Sequence, residues 1–236
     1  PEPEPEPESE PEPEPLYELA FSNPTDTAFN GGRQIFNVQR GETDHLGITI
    51  IIQGTAINQD NWDCLWMLCE GGTSNELAQH RTKWGTYSYG LFRVLGTTYE
   101  NITPSFETSG ENYQWAFKVH NGTYYYKRWK AENDEVIEEI IDEGNIPDRT
   151  SGNGIDIENQ SSYRLYFNGP SNSTNSMQAD YNYNLLEFYT GGLYDSIILS
   201  MAYNYFGLSP PEPEPEPESE PEPEPENTTH TRLVTS

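Results

Sequence analysis

The segment YQWAFKVHNGTYYYKRWK, residues 113–130, alternates with a two-residue period. Tyr113, Trp115, Phe117 and Val119 fall on one face; Gln114, Ala116, Lys118 and His120 fall on the other. Asn121-Gly122 follows, the pair that accepts positive φ at both central positions of a type I′ turn. Thr123 to Lys130 then returns as a partner strand, so the segment predicts a tight antiparallel hairpin. Its cluster of bases, Lys127, Arg128 and Lys130, is expected on the wet face of that hairpin.

The same period recurs on either side of the hairpin. Ile48, Ile50 and Ile52 alternate with Thr49, Ile51 and Gln53; Trp62, Cys64, Trp66 and Leu68 form another alternating face. Tyr163, Leu165 and Phe167 alternate, as do Ile197 and Leu199. Gly31-Gly32, Gly71-Gly72, Asn153-Gly154 and Gly191-Gly192 punctuate these runs as turns. Many short strands with glycine-rich turns predict an all-β, two-sheet antiparallel β-sandwich. The length favours a jelly roll over an immunoglobulin-type sandwich, which needs only about 100 residues. One stretch dissents. Residues 133–144, NDEVIEEIIDEG, place Val136, Ile137, Ile140 and Ile141 on one helical face, with Asn133 or Asp134 to cap and Gly144 to stop. A short helix near 134–143 is the expectation, with a strand as the alternative.

The chain has 236 residues and a net charge of −27, from 39 Asp+Glu against 12 Lys+Arg. Residues 1–15 and 211–225 are the same fifteen letters, PEPEPEPESEPEPEP, and together hold 14 of the 19 prolines. Proline fixes φ, removes a donor and pushes its predecessor to extended geometry, so each tract predicts a stiff polyproline II rod about 46 Å long. The division that follows is a Pro-Glu linker over 1–15, one jelly-roll domain over 16–210, a second linker over 211–226, and a tail or the start of another module over 227–236. The first residue is Pro, which reads as a processed product or an excised piece.

Strong negative charge disfavours nucleic acid and anionic lipid as partners. No run approaches the roughly 18 apolar residues of a membrane helix. Cys64 and Cys69 lie on one strand-like stretch; five residues apart they are expected on opposite faces, about 16 Å apart, and unbridged. Small buried side chains are their simplest role.

Sugar recognition needs flat aromatic faces for C–H surfaces and Asn, Asp or Gln for hydroxyls. Trp84, Tyr87 and Tyr89 supply that mixture in WGTYSY, and Tyr181 and Tyr183 supply it in YNYN. Trp129 beside Tyr124, Tyr125 and Tyr126 makes a third cluster. Packing between sheets is the competing role for each of these rings. Asp60, Asn61, Asp63 and Asp148 offer loop oxygens of the kind calcium takes, without fixing a ligand set. His45, His80, His120 and His230 have no flanking catalytic motif. Five N-glycosylation sequons begin at Asn101, Asn121, Asn159, Asn172 and Asn227.

The pattern resembles the laminin-G-like branch of the concanavalin A-like lectin/glucanase superfamily. Residues 47–52 with 62–68 sit where that family has its aromatic-rich strand, residues 113–123 look like its hairpin, and GGLYDSIIL at 191–199 is similar to its closing strand. Residues 131–160 depart from the pattern. The resemblance implies a jelly roll that binds glycans, often with a structural calcium. It also reaches glycosidases with Glu-x-Asp-x-(x)-Glu on one strand. Here Gly154 stands where the nucleophile would be, before Asp156 and Glu158, and Glu139, Asp142 and Glu143 have the wrong spacing. The reading is a non-enzymatic binding or adhesion module of an extracellular cell-surface or virion-surface protein, recognising a glycan or a surface protein. A ligand-free spacer domain and a glycoside hydrolase or lyase are the alternatives.

Overall fold

The computed structural model describes residues 17–30, 34–40, 46–58, 64–72, 76–81, 90–94, 100–102, 110–146, 156–167 and 180–211. Twelve strands and one helix occur among them: β1 Tyr17–Asn30, β2 Gln34–Gln39, β3 Ile48–Asn58, β4 Cys64–Glu70, β5 Glu76–Arg81, β6 Gly90–Val94, β7 Glu100–Ile102, β8 Asn112–His120, β9 Thr123–Glu132, β10 Glu135–Asn145, β11 Ser162–Phe167, β12 Asp180–Gly191 and α1 Asp195–Phe206. They form two six-stranded sheets. One runs β1-β12-β3-β8-β9-β10 and the other β2-β11-β4-β5-β6-β7. Every recorded pairing is antiparallel. The chain is a β-sandwich, as its alternation implies.

The 113–130 hairpin forms as read. Asn121 at φ 52° and Gly122 at φ 75° make its turn. The core between the sheets takes the inward half of each alternating run: Ile48, Ile50 and Ile52, Trp115, Phe117 and Val119, Leu165 and Phe167. A fully buried residue of this size contributes roughly 1.5–3 kcal/mol. Tyr126 joins the two sheets through a polar contact as well. Its hydroxyl accepts from Trp66 Nε1 at 3.1 Å and meets His80 Nδ1 at 2.7 Å.

The outward half of the central strands is also covered, by α1. Ile51, Ala116 and Trp129 pack with Leu193, Ile198 and Ala202 of the helical segment. This explains why β3 reads as an almost continuous apolar run: both its faces are buried. The polar residues under the helix are satisfied by it. Gln53 Nε2 donates to Gln114 Oε1 at 2.8 Å, and Gln114 Nε2 donates to the Ile198 carbonyl at 2.8 Å. Thr49 Oγ1 donates to the Gly191 carbonyl at 3.2 Å and accepts from Leu193 N at 3.1 Å.

Four local expectations are corrected. The stretch 134–143 is strand β10, not a helix. It pairs with β9 from Glu135↔Glu132 to Asn145↔Thr123, and a bulge between Ile140 and Asp142 breaks its alternation. Ile197 and Leu199 belong to a helix, not a strand. Cys64 and Cys69 share one buried cluster with Met67 and Tyr166 rather than facing opposite ways, because an irregularity between Cys64 and Trp66 shifts the phase of β4. Neither is in a disulfide, and burial, with Glu76 adding, pushes the Cys69 thiol up to about 12. Arg128 is not on a wet face. It is 4% exposed, bonds Glu139 Oε2 through Nε at 2.8 Å, and lies 5.2 Å over the Tyr113 ring.

Both margins of the first sheet are irregular. β1 carries Pro24, which lacks a ladder donor and is tolerated on an outermost strand. β10 carries Glu135, Glu138, Glu139, Asp142 and Glu143 along eleven residues.

Candidate functional site

Two adjoining depressions lie at the end of the first sheet beside the β8–β9 turn. One, of about 200 Å³, is lined by Lys118, His120, Asn121, Thr123, Tyr124 and Tyr125. The other, of about 380 Å³, shares Thr123, Tyr124 and Tyr125 and adds Glu143, Gly144 and Asn145. The strand register explains the grouping. Lys118 pairs with Tyr125 and Tyr125 with Glu143; one step on, His120 pairs with Thr123 and Thr123 with Asn145. Side chains two residues apart share a face, so three strands present two rows of three: Lys118–Tyr125–Glu143 and His120–Thr123–Asn145.

The floor of this groove is rigid. The Tyr125 hydroxyl donates to Asp195 Oδ1 at 2.9 Å, and Lys118 Nζ bonds the same oxygen at 2.7 Å. Lys118 and Lys127 ammoniums stand 5.5 and 4.9 Å from the Tyr125 ring centroid. Lys127 in turn pairs with Glu138 at 2.8 Å. Burial first, then the charge of Asp195, pushes the Tyr125 phenol above its ordinary value. Burial alone would raise the Asp195 carboxyl, but the hydrogen bonds from Lys118 and Tyr125 and the charges of Lys118 and Lys127 outweigh it. They hold it below the usual carboxylate value. Asp195 also opens α1, where the helix dipole favours an anion.

His120 is placed by glycines. Its Nδ1 contacts the Leu46 carbonyl at 3.1 Å, so that nitrogen carries the proton. A Cβ on Gly192 would stand 2.6 Å from His120 Cγ, and one on Gly47 would stand 2.4 Å from the Val119 carbonyl oxygen. The turn itself is pinned from outside: Gly122 N donates to Glu158 Oε1 at 2.9 Å. Exposed Glu143 and Asn145 complete the wall. The two lysines are engaged with carboxylates, so the charge free to meet a ligand is acidic, while the Thr, Asn and His groups suit hydroxyl recognition.

The residues singled out by sequence fall differently. Trp84, Tyr87 and Tyr89 lie outside the described residues, as do Asp60, Asn61, Asp63 and Asp148. Tyr181 lies in β12. Tyr183 is buried in the core and donates from its hydroxyl to the Leu65 carbonyl at 2.8 Å. Trp129 is 2% exposed, sits under α1 and donates from Nε1 to Glu138 at 3.0 Å. Neither ring offers an open face. Of the tyrosine triplet, Tyr126 is core and Tyr124 is buried with its hydroxyl on Asp142, leaving Tyr125 half-buried in the groove.

Of the acids weighed for glycoside hydrolysis, Glu139, Asp142, Asp156 and Glu158 hold structure together, while Glu143 lies exposed in the groove. Asp156 accepts from Glu158 N at 3.2 Å and caps a 3-10 turn over Ile157–Asn159. Glu158 holds Gly122, and Glu139 holds Arg128. Among the described residues, no group of three or more His, Cys, Asp or Glu could hold a metal ion, and no helix is long and apolar enough to cross a membrane.

Sequence reasoning missed Lys118, His120, Thr123, Glu143 and Asn145. The first three were readable, because alternation along the hairpin already puts Lys118 and His120 on one face with Thr123 opposite. The last two required β10 to be a strand.

No protein-family model matches this chain, and no curated protein does. Among solved structures, the chain is similar to Trypanosoma rangeli sialidase bound to a difluoro-KDN analogue, at TM-score 0.54 and 13% identity over 78% of this chain and 28% of that one. The same sialidase with sialic acid gives 0.52 and 12%, over 82% and 30%. Domain 4 of a GH43 extracellular arabinanase from Geobacillus stearothermophilus, in complex with arabinotriose, gives 0.43 and 12%, over 70% and 71%. The chain thus spans less than a third of the sialidase's length, and at these identities the likeness to the sialidase is one of fold.

Proposed function

We propose that this domain is a carbohydrate-binding module and that its ligand is held across the Lys118–Tyr125–Glu143 and His120–Thr123–Asn145 rows. The observation that carries the reading is that pair of rows, a hydroxyl-matching set of side chains on a floor fixed by Asp195. The lining is acidic once Lys118 is paired, so the ligand class is a neutral glycan rather than a sialylated or sulfated one. The laminin-G-like resemblance, the two Pro-Glu tracts and display on a cell or virion surface belong to the same reading. Spaced modules engage several ligands at once, so modest affinity at each suffices.

The test is a glycan array on the full chain, run with calcium and with chelator, beside Glu143→Gln and Asn145→Ala. Both side chains are exposed, so both variants stay folded by circular dichroism. Binding to neutral glycans that falls at least several-fold in Asn145→Ala supports the reading. Binding that is unchanged in both variants moves the site elsewhere. A second reading, a spacer domain without ligand, is favoured by one observation: Trp66, Trp115 and Trp129 are all buried, leaving none of the described tryptophans for a sugar platform. An array with no signal for any glycan class selects it.

A further inference from the structure

The described chain enters and leaves the first sheet at opposite ends. β1 begins at Tyr17, which pairs with Gly191, the last residue of β12. That end also holds Ile48 of β3, paired with Val119 and Thr190. α1 starts at the same end, where Asp195 meets Lys118. It then runs along the sheet: Ile198 meets Gln114, Met201 lies over Gln53, and Tyr205 accepts from Asn184 at 3.2 Å. Asn184 and Thr55, whose register partner is Asn112, lie toward the other end of the sheet, where β8 begins. From Asp195 to Tyr205 the helix rises about 15 Å, which matches the strand length between Thr49, the partner of Lys118, and Gln53–Gly54 beside Asn184.

Tension between the two ends therefore meets a particular geometry. Pulled backward at Tyr17, β1 slides along β12, and all its ladder bonds resist together. Pulled forward at Phe206, α1 slides along the sheet, and its apolar contacts and the Gln53 and Gln114 bonds resist together. Once α1 lets go, the geometry changes. Force then reaches the sheet at Gly191, directly opposite Tyr17, and parts β1 from β12 one bond at a time.

We propose that α1 is a mechanical lock, which converts an unzipping load on the β1–β12 pair into a shearing one. The domain would serve as a tension-bearing link between the tethers encoded at 1–15 and 211–225. This adds to the binding reading and does not depend on it.

Single-molecule force spectroscopy on the full chain tests the idea. One handle sits at the N-terminus; the other sits at the C-terminus or at Ser196→Cys, an exposed position in the first turn of α1. The native thiols are buried, so the new cysteine labels selectively. Forced rupture reads the unfolding barrier, and the terminal handle is expected to need roughly twofold more force than the Ser196 handle. Gln114→Leu should lower the terminal-pull force and leave the Ser196-handle force unchanged. Equal forces from the two handles, or a Gln114→Leu loss of the same size in both, would overturn the proposal.

Discussion

Gln114 and Ile198 are joined by a hydrogen bond of 2.8 Å, from a side-chain amide near the start of β8 to a carbonyl in α1. The amide is fully buried, and its oxygen accepts from Gln53. Truncating Gln114 to Ala leaves the Gln53 amide without that acceptor beneath the helix. Stranding a buried polar group costs about 1–3 kcal/mol, and the lost packing adds to it. Urea denaturation of Gln114→Ala should show the lower midpoint. A double change, Gln53→Leu with Gln114→Leu, removes both partners and should recover part of the loss.

Tyr183 distinguishes core from binding surface. Its ring is buried and its hydroxyl meets the Leu65 carbonyl in the opposite sheet. Tyr183→Phe should cost about 1 kcal/mol, the net value of one hydrogen bond, and Tyr183→Ala about 3–5 kcal/mol. A stability near wild type in Tyr183→Ala would place the ring at the surface after all.

Asp195 gives the domain a pH response of known sign. Its carboxyl is held below the unfolded value of about 3.9. A depressed carboxyl contributes stability that is present above the unfolded value and is lost as pH falls through the folded one. The stability gap between wild type and Asp195→Asn should therefore be constant near neutrality and close below about pH 4. The side chain is 59% exposed, so salt should narrow that gap as well. A gap that widens on acidification would contradict the lysine and tyrosine contacts.

Gly47 has φ +100°, and an added Cβ would press on the Val119 carbonyl oxygen, a backbone atom that cannot swing aside. Gly47→Ala should cost about 2–4 kcal/mol through strain and overpacking together. For Gly192→Ala the nearest atoms are side-chain atoms of the His120 ring, so it should be milder and should shift the His120 ring resonances in an NMR spectrum. Unperturbed His120 signals would mean that Gly192 does not set the ring.

The hairpin at 113–130 was legible because two independent signals agree there: alternation and an Asn-Gly turn. β10 was not, because its apolar residues sit on both faces: Ile137 and Ile141 have the parity of one face, Val136 and Ile140 that of the other. Two such pairs side by side imitate helical spacing. α1 was hidden for a different reason. Its first flanking residue, Tyr194, makes no side-chain cap, so no Ser, Thr, Asp or Asn announced the start. The stop was visible, since Gly207 takes the left-handed conformation that ends the helix. The strand-like alternation of Ile197 and Leu199 masks the helical pair Ile198 and Ala202. The groove inherited the β10 error, because Glu143 and Asn145 line up with Tyr125 and Thr123 only in a ladder.

The acidic margin formed by β10 also governs how crowded copies behave. Two such domains meeting rim to rim would bring rows of carboxylates within a few ångströms of each other, across a bulge that already spoils the fit. Like charges make that encounter unfavourable, and the exposed backbone finds no second molecule to zip onto. In a dense brush of these domains, contact through this rim is therefore disfavoured. Acidification or strong salt, by silencing the rim, would be the condition under which they begin to cohere.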